Sequence, residues 1–162
     1  MPSKDAIFGA GCFWGVEVAF RRLDGVLDAE VGYCGGDPAG VSYEEVCTGR
    51  TGHAEVVRVI YDPERITYAD LLATFFECHD PTQVNRQGPD VGTQYRSVIF
   101  PLDGEQLSAA QSAIEEHRNT RKGTAFGDLL RRPLATTIED PRNYTKAEDY
   151  HQGYLARRGF GP

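Results

Sequence analysis

The order in which two hydrophobic periods alternate along the chain is what most restricts its fold. A short apolar run, Ala6 to Ala10, reads as a strand. Val16, Ala19, Phe20 and Leu23 follow at helical spacing, with Gly25 as a stop. Val26 to Tyr33 reads as a second strand, and Ala54 to Tyr61 as the clearest one, ended by Asp62-Pro63. Thr67 with Asp70 opens a helix whose buried face is Leu71, Leu72, Phe75 and Phe76; Asp80-Pro81 closes it. Ser97 to Phe100 supplies another strand. The series is β-α-β-β-α-β, the split βαβ or ferredoxin-like plan. A single α+β catalytic domain over residues 1–162 is expected, a two-layer sandwich with helices packed on a mixed or antiparallel sheet. Further on, a helix is expected from about Glu105 to Arg118 and a strand from Leu134 to Ile138. A last helix is expected from near Thr145, with Glu148 completing a capping box. Thr82 to Arg96 is polar and Gly-rich, a loop of the length that usually carries function, and Asn119 to Arg132 fits neither period.

At 162 residues the chain can bury one full core. Its 24 acidic side chains outnumber 17 basic ones, and the net charge of -7 argues against nucleic acid and anionic membrane as partners. No apolar run approaches the length of a membrane span, and Met1 to Asp5 lack the pattern of a signal peptide. A cytoplasmic protein is expected. The four cysteines, Cys12, Cys34, Cys47 and Cys78, form no Cys-x-x-Cys pair, so neither zinc nor, in that compartment, a structural disulfide is expected. Inert buried thiols, reactive thiols or a mixture remain. The four histidines show no ligand spacing, and each reads as structural.

Cys12 stands between a strand and a helix, in Gly11-Cys12-Phe13-Trp14-Gly15. Unpaired N–H groups and the helix dipole there favour a thiolate, so a lowered pKa is expected; a small buried hydrophobe is the competing reading. Phe13 and Trp14 are adjacent, so both cannot point into one core direction. At least one should face a pocket mouth, where an aromatic wall would hold a methyl group on sulfur. Glu55 shares a strand face with Val57, Val59 and Tyr61. Its carboxyl has three fates: a salt bridge, exposure at the strand end, or burial as a neutral acid able to donate a proton. Tyr43 and Tyr95 are loop tyrosines that could offer hydroxyl donors, and Asp90 could equally be a turn former.

Together these residues resemble the peptide methionine sulfoxide reductase A family. The likeness runs in order through Gly11 to Gly15, Gly32-Tyr33 with Gly35-Gly36, Tyr43 to Val46, and Thr48 to Val56. It continues through His79 to Gln83, Arg86 to Gly88, Asp90 to Ser97, and Ala147 to Gln152. The resemblance implies Cys12 as nucleophile, Glu55 as general acid, and Tyr43 and Tyr95 as donors to the sulfoxide oxygen. It implies Phe13 and Trp14 as the methyl pocket, with Asp90 in a supporting role. The S epimer of methionine sulfoxide, protein-bound or free, would be reduced through a Cys12 sulfenic acid. No cofactor or metal is implied, a monomer is expected, and thioredoxin or another thiol would be the reductant. A thiol peroxidase and a non-catalytic reader of oxidised methionine are the competing readings.

Many members of that family carry resolving cysteines in a C-terminal tail. Here no cysteine follows Cys78, so no tail disulfide is expected. Cys34, in the Gly-rich stretch to Gly40, ranks first as a possible resolving cysteine, ahead of Cys47, Cys78 and direct attack by an external thiol.

Overall fold

The computed structural model describes residues 2–121 and 133–160. The ambiguous segment Asn119 to Arg132 lies outside them from residue 122 onward. Eight strands are described: β1 Lys4–Ala10, β2 Val26–Cys34, β3 Ala54–Tyr61, β4 Arg86–Gln87, β5 Asp90–Val91, β6 Ser97–Phe100, β7 Thr137–Ile138 and β8 Thr145–Lys146. The helices are α1 Phe13–Arg21, α2 Tyr43–Cys47, α3 Tyr68–Glu77 and α4 Gly104–Arg121. Six strands form one mixed sheet in the order β7-β6-β1-β3-β2-β8. Among the described strands only the β6–β7 pairing is parallel. The hairpin β4–β5 stands apart.

Alternation in the strands sorts side chains to two faces. Phe8, Val31, Tyr33, Val57, Val59 and Ile99 join α1, α3 and α4 in the main core. Ile7, Cys34, Val56, Val98 and Phe100 form a smaller cluster on the other face. Phe8 is the hub of the main core. Its ring lies 5.2 Å from Phe20 in a parallel stack and 5.4 Å from Phe75. Truncating Phe8 to Ala should cost roughly 3–5 kcal/mol through the cavity it leaves. No described helix is long and apolar enough to cross a membrane.

Three expectations need correction. Tyr43–Cys47 is a helix, started by a reciprocal capping box between Ser42 and Glu45. The strand placed at Leu134 to Ile138 shrinks to its last two residues, β7. No helix starts at Thr145. Thr145 pairs with Tyr33 in β8, and Asp149–His151 and Ala156–Arg158 are single 3₁₀ turns. The Glu148 carboxylate is committed to distant partners, accepting from the Tyr33 hydroxyl at 2.8 Å and the Tyr43 N–H at 3.0 Å. The Gln152 side chain bonds both the N–H and C=O of Val31, at 2.9 Å each. These long-range bonds hold the segment extended against β2.

Candidate active site

β1 ends at Ala10, and Gly11 turns the chain at φ 94. A Cβ at Gly11 would stand 2.8 Å from the Gln87 side chain, so only glycine lets the β4–β5 hairpin lean on this turn. Cys12 is the N-cap of α1, and its side chain makes no capping bond. Its thiol is partly buried, within reach of the Trp14 and Gly15 N–H groups of the first turn.

Register brings the acid to it. Tyr33 on β2 pairs with Glu55 on β3. Glu55 is 1% exposed, and its Oε1 accepts the Phe13 N–H at 3.2 Å. Of the three fates open to this carboxyl, burial is the one realised. Burial raises it from 4.5 to about 8; the Phe13 N–H opposes the rise and Asp90 adds to it. The carboxyl is therefore largely neutral at pH 7.

Cys12 departs from expectation. Burial pushes its thiol up to about 12. The N–H groups of Trp14 and Gly15 pull it down only in part, while Glu55 and Asp90 push it further up. The helix start does stabilise a thiolate here, but desolvation is the larger effect. At rest the site holds a thiol beside a neutral acid.

Tyr95 ends the 3₁₀ turn Thr93–Tyr95, and Tyr43 opens α2. Burial raises both hydroxyls above the ordinary range, and the Glu55 carboxyl raises them further, so both remain donors. The charges at Cys12 and Asp90 also act on Tyr95. The Tyr43 hydroxyl reaches the Cys47 thiol one helical turn on. Asp90 pairs with Gln87 across the hairpin and sits within the electrostatic reach of Cys12, Glu55 and Tyr95.

The aromatic wall divides as adjacency requires. Phe13 is buried, with its ring 5.8 Å from Tyr33. Trp14 is half-buried and stacks on Tyr154 at 3.9 Å and 9°. Its indole Nε1 donates to His151 Nδ1 at 3.1 Å. His151 also lies 5.2 Å from Phe13 and 4.5 Å from Tyr43. Read as merely structural, His151 turns out to tie three wall aromatics together, and Tyr154 backs Trp14. The aromatic run Tyr150-His151 with Tyr154, beside the family-like stretch ending at Gln152, was the available signal.

Cys34 is not brought to this site. It is fully buried on the opposite sheet face, because it follows Tyr33 and side chains alternate. Its thiol donates to the Arg142 carbonyl at 3.6 Å. Cys47 is exposed and Cys78 half-buried. Among the described residues no group of three or more potential ligands could hold a metal.

Comparison with known proteins agrees with this geometry. The model of the family described as peptide methionine sulfoxide reductase matches residues 4–160. The peptide methionine sulfoxide reductase MsrA of Methanoculleus marisnigri is 54% identical over 156 residues, covering 96% of this chain and 91% of the relative. The crystal structure of reduced Mxr1 from Saccharomyces cerevisiae superposes with a TM-score of 0.86 at 39% identity, covering 99% of this chain and 88% of that one. A structure of Mxr1 in complex with Trx2 aligns at a TM-score of 0.62 and 30% identity, covering 94% of this chain and 84% of that one. A buried acid facing a helix-capping cysteine, walled by aromatics and matched over nearly the whole chain, places this protein in the peptide methionine sulfoxide reductase family.

Proposed function

We propose that this chain reduces the S epimer of methionine sulfoxide, protein-bound and free, to methionine. The observation that carries the reading is Glu55, an acid buried to 1% exposure and held largely neutral beside Cys12. The sulfoxide oxygen must gain a proton as the Cys12 sulfur attacks the substrate sulfur, and the thiol must lose one. Glu55 does both in sequence: its neutral carboxyl protonates the oxygen, and the carboxylate so formed accepts the thiol proton. No net proton is consumed. The oxygen ends on Cys12 as a sulfenic acid and methionine leaves.

Tyr43 and Tyr95 donate to the oxygen as negative charge develops there. Phe13 and Trp14 hold the S-methyl group, and Asp90 supports the site. General-acid help is worth ~10²–10⁴ in rate. The chirality of the sulfur is read because methyl and oxygen enter differently lined subsites.

The sulfenic acid is cleared by an external thiol, and the Trx2 complex of the yeast relative supports a thioredoxin in that role. The reading includes a cytoplasmic, monomeric, single-domain enzyme without bound cofactor. The inner strand order β6-β1-β3-β2 supports its ferredoxin-like description.

Turnover of a methionine sulfoxide peptide by Cys12→Ser and Glu55→Gln tests the roles. Cys12→Ser should form no methionine. A loss under about tenfold in Glu55→Gln would remove Glu55 as the acid. Mass spectrometry after one turnover without reductant should find a trappable sulfenic acid on Cys12. An intramolecular loss of two hydrogens would refute clearance by an external thiol.

A further inference from the structure

One buried carboxylate takes no part in the proposed chemistry. Glu17 is 1% exposed, a depth that acidic side chains seldom reach. It follows Trp14 by one turn of α1, so the two side chains share a helix face. Both Glu17 oxygens accept the Gly153 N–H, at 3.0 and 3.1 Å, and Oε2 also accepts from Arg21 Nε at 3.3 Å.

Gly153 belongs to the segment that walls the site. His151 accepts the Trp14 indole N–H, and Tyr154 stacks on the indole at 3.9 Å. Up to Gln152 the segment is fastened to β2 by the bonds of the Gln152 side chain to Val31. Beyond Gln152, among the described residues, the other hydrogen bonds are internal to the segment. Arg157 donates to the Tyr150 and Gln152 carbonyls, Arg158 to the Tyr154 carbonyl, and the backbone bonds close local turns. The hydrogen-bonded tie between the stretch carrying Tyr154 and the body of the protein is therefore Glu17. An apolar side chain would fill the same place without the cost of burying a carboxylate. What the carboxylate supplies is an acceptor aimed at Gly153.

We propose that Glu17 is a positioning residue for the methyl subsite: by holding Gly153 it keeps His151 and Tyr154 seated against Trp14. The proposal rests on the reading of Phe13 and Trp14 as the wall that takes the S-methyl group. With the tie broken, Tyr154 leaves the indole for part of the time, and only the seated fraction binds substrate well. A fall in that fraction weakens apparent binding in proportion and leaves the bound complex as it was. A hydrogen bond to a charged acceptor is strong enough to shift such an equilibrium by about tenfold.

The test measures kcat and KM for a methionine sulfoxide peptide, with dithiothreitol as reductant, beside the fluorescence of Trp14, the only tryptophan in the chain. Glu17→Met fills the space without an acceptor. It should raise KM about tenfold, leave kcat within about twofold, and move Trp14 emission to longer wavelength as the indole gains water. Glu17→Gln keeps an oxygen for the Gly153 N–H and should stay close to the wild type in both readouts. Glu17→Asp keeps the charge but draws the oxygens back by one carbon, and should change both readouts in the direction of Glu17→Met; it decides the matter if Glu17→Met does not fold. Wild-type KM and emission in these two variants overturn the proposal. So does a loss of activity with unchanged emission, or a Glu17→Gln variant as impaired as Glu17→Met. Trp14→Ala separates this from the underlying reading. If Trp14→Ala keeps the wild-type KM, the methyl wall itself fails; if it raises KM while Glu17→Met does not, only the role of Glu17 fails.

Discussion

Glu55→Gln is expected to strengthen the fold while disabling it as a catalyst. The folded carboxyl titrates at about 8, against an ordinary 4.5. Between those values the folded protein keeps a proton that the unfolded chain releases. Stability therefore falls as pH rises through that window, and the loss is complete above about 8. The gap corresponds to roughly 5 kcal/mol at full extent and roughly 3 kcal/mol at pH 7. Glutamine has the same shape, no proton to lose, and an oxygen that still accepts the Phe13 N–H. Wild type and variant should melt at nearly the same temperature at pH 5. By pH 7 the variant should melt higher by roughly 6–12 °C, and by pH 9 the gap should be wider still. Thermal melts by circular dichroism at these pH values read the effect. A gap that does not change with pH, or a variant less stable at pH 9, would refute the claim that this acid is buried neutral.

Three further outcomes follow from the same geometry. In the wild type, kcat/KM should decline as pH rises through about 8, where Glu55 gives up the proton it must donate; a flat profile to pH 10 would contradict the relay. Glu148→Ala frees the Tyr33 hydroxyl and the Tyr43 N–H and should cost roughly 1.5–3 kcal/mol in denaturant melts at pH 7. The folded Glu148 carboxyl titrates below its ordinary value, so its contribution is present above that value and lost as pH falls below it; the penalty should shrink in melts at acid pH. Cys34→Ala should leave multiple-turnover rates with dithiothreitol or thioredoxin unchanged, and a collapse to a single turnover would show that Cys34 does reach the Cys12 sulfenic acid.

Local periodicity made β1, α1, β2, β3, α3 and β6 legible, because each buries one face and alternation or helical spacing records it. The same alternation put Glu55 on the face of Val57 and Val59, but could not choose between exposure and burial. That choice is made by Tyr33 across the ladder and by α1 above it. The segment after Thr145 differs from its helical pattern because that capping pattern is local while the fate of Glu148 is not: its partners lie 115 and 105 residues away. Cys12 shows a conflict of magnitudes. The helix start was visible in the sequence, whereas the depth of burial that outweighs it was not. Cys34 was misplaced for a simpler reason. The Gly-rich stretch reads as a loop from Cys34 onward, whereas Cys34 is the last residue of β2 and is fixed to the face opposite Tyr33.

The pocket wall also has a consequence for the order of assembly. His151 meets Trp14 across 137 residues of chain, and the Gly153 N–H meets the buried Glu17 carboxylate across 136. On the ribosome, Cys12 and Glu55 emerge long before the segment that completes their surroundings. The Trp14–His151 contact therefore cannot form until residues 147–158 have been made, and the indole side of the pocket wall is the last part of the site to close.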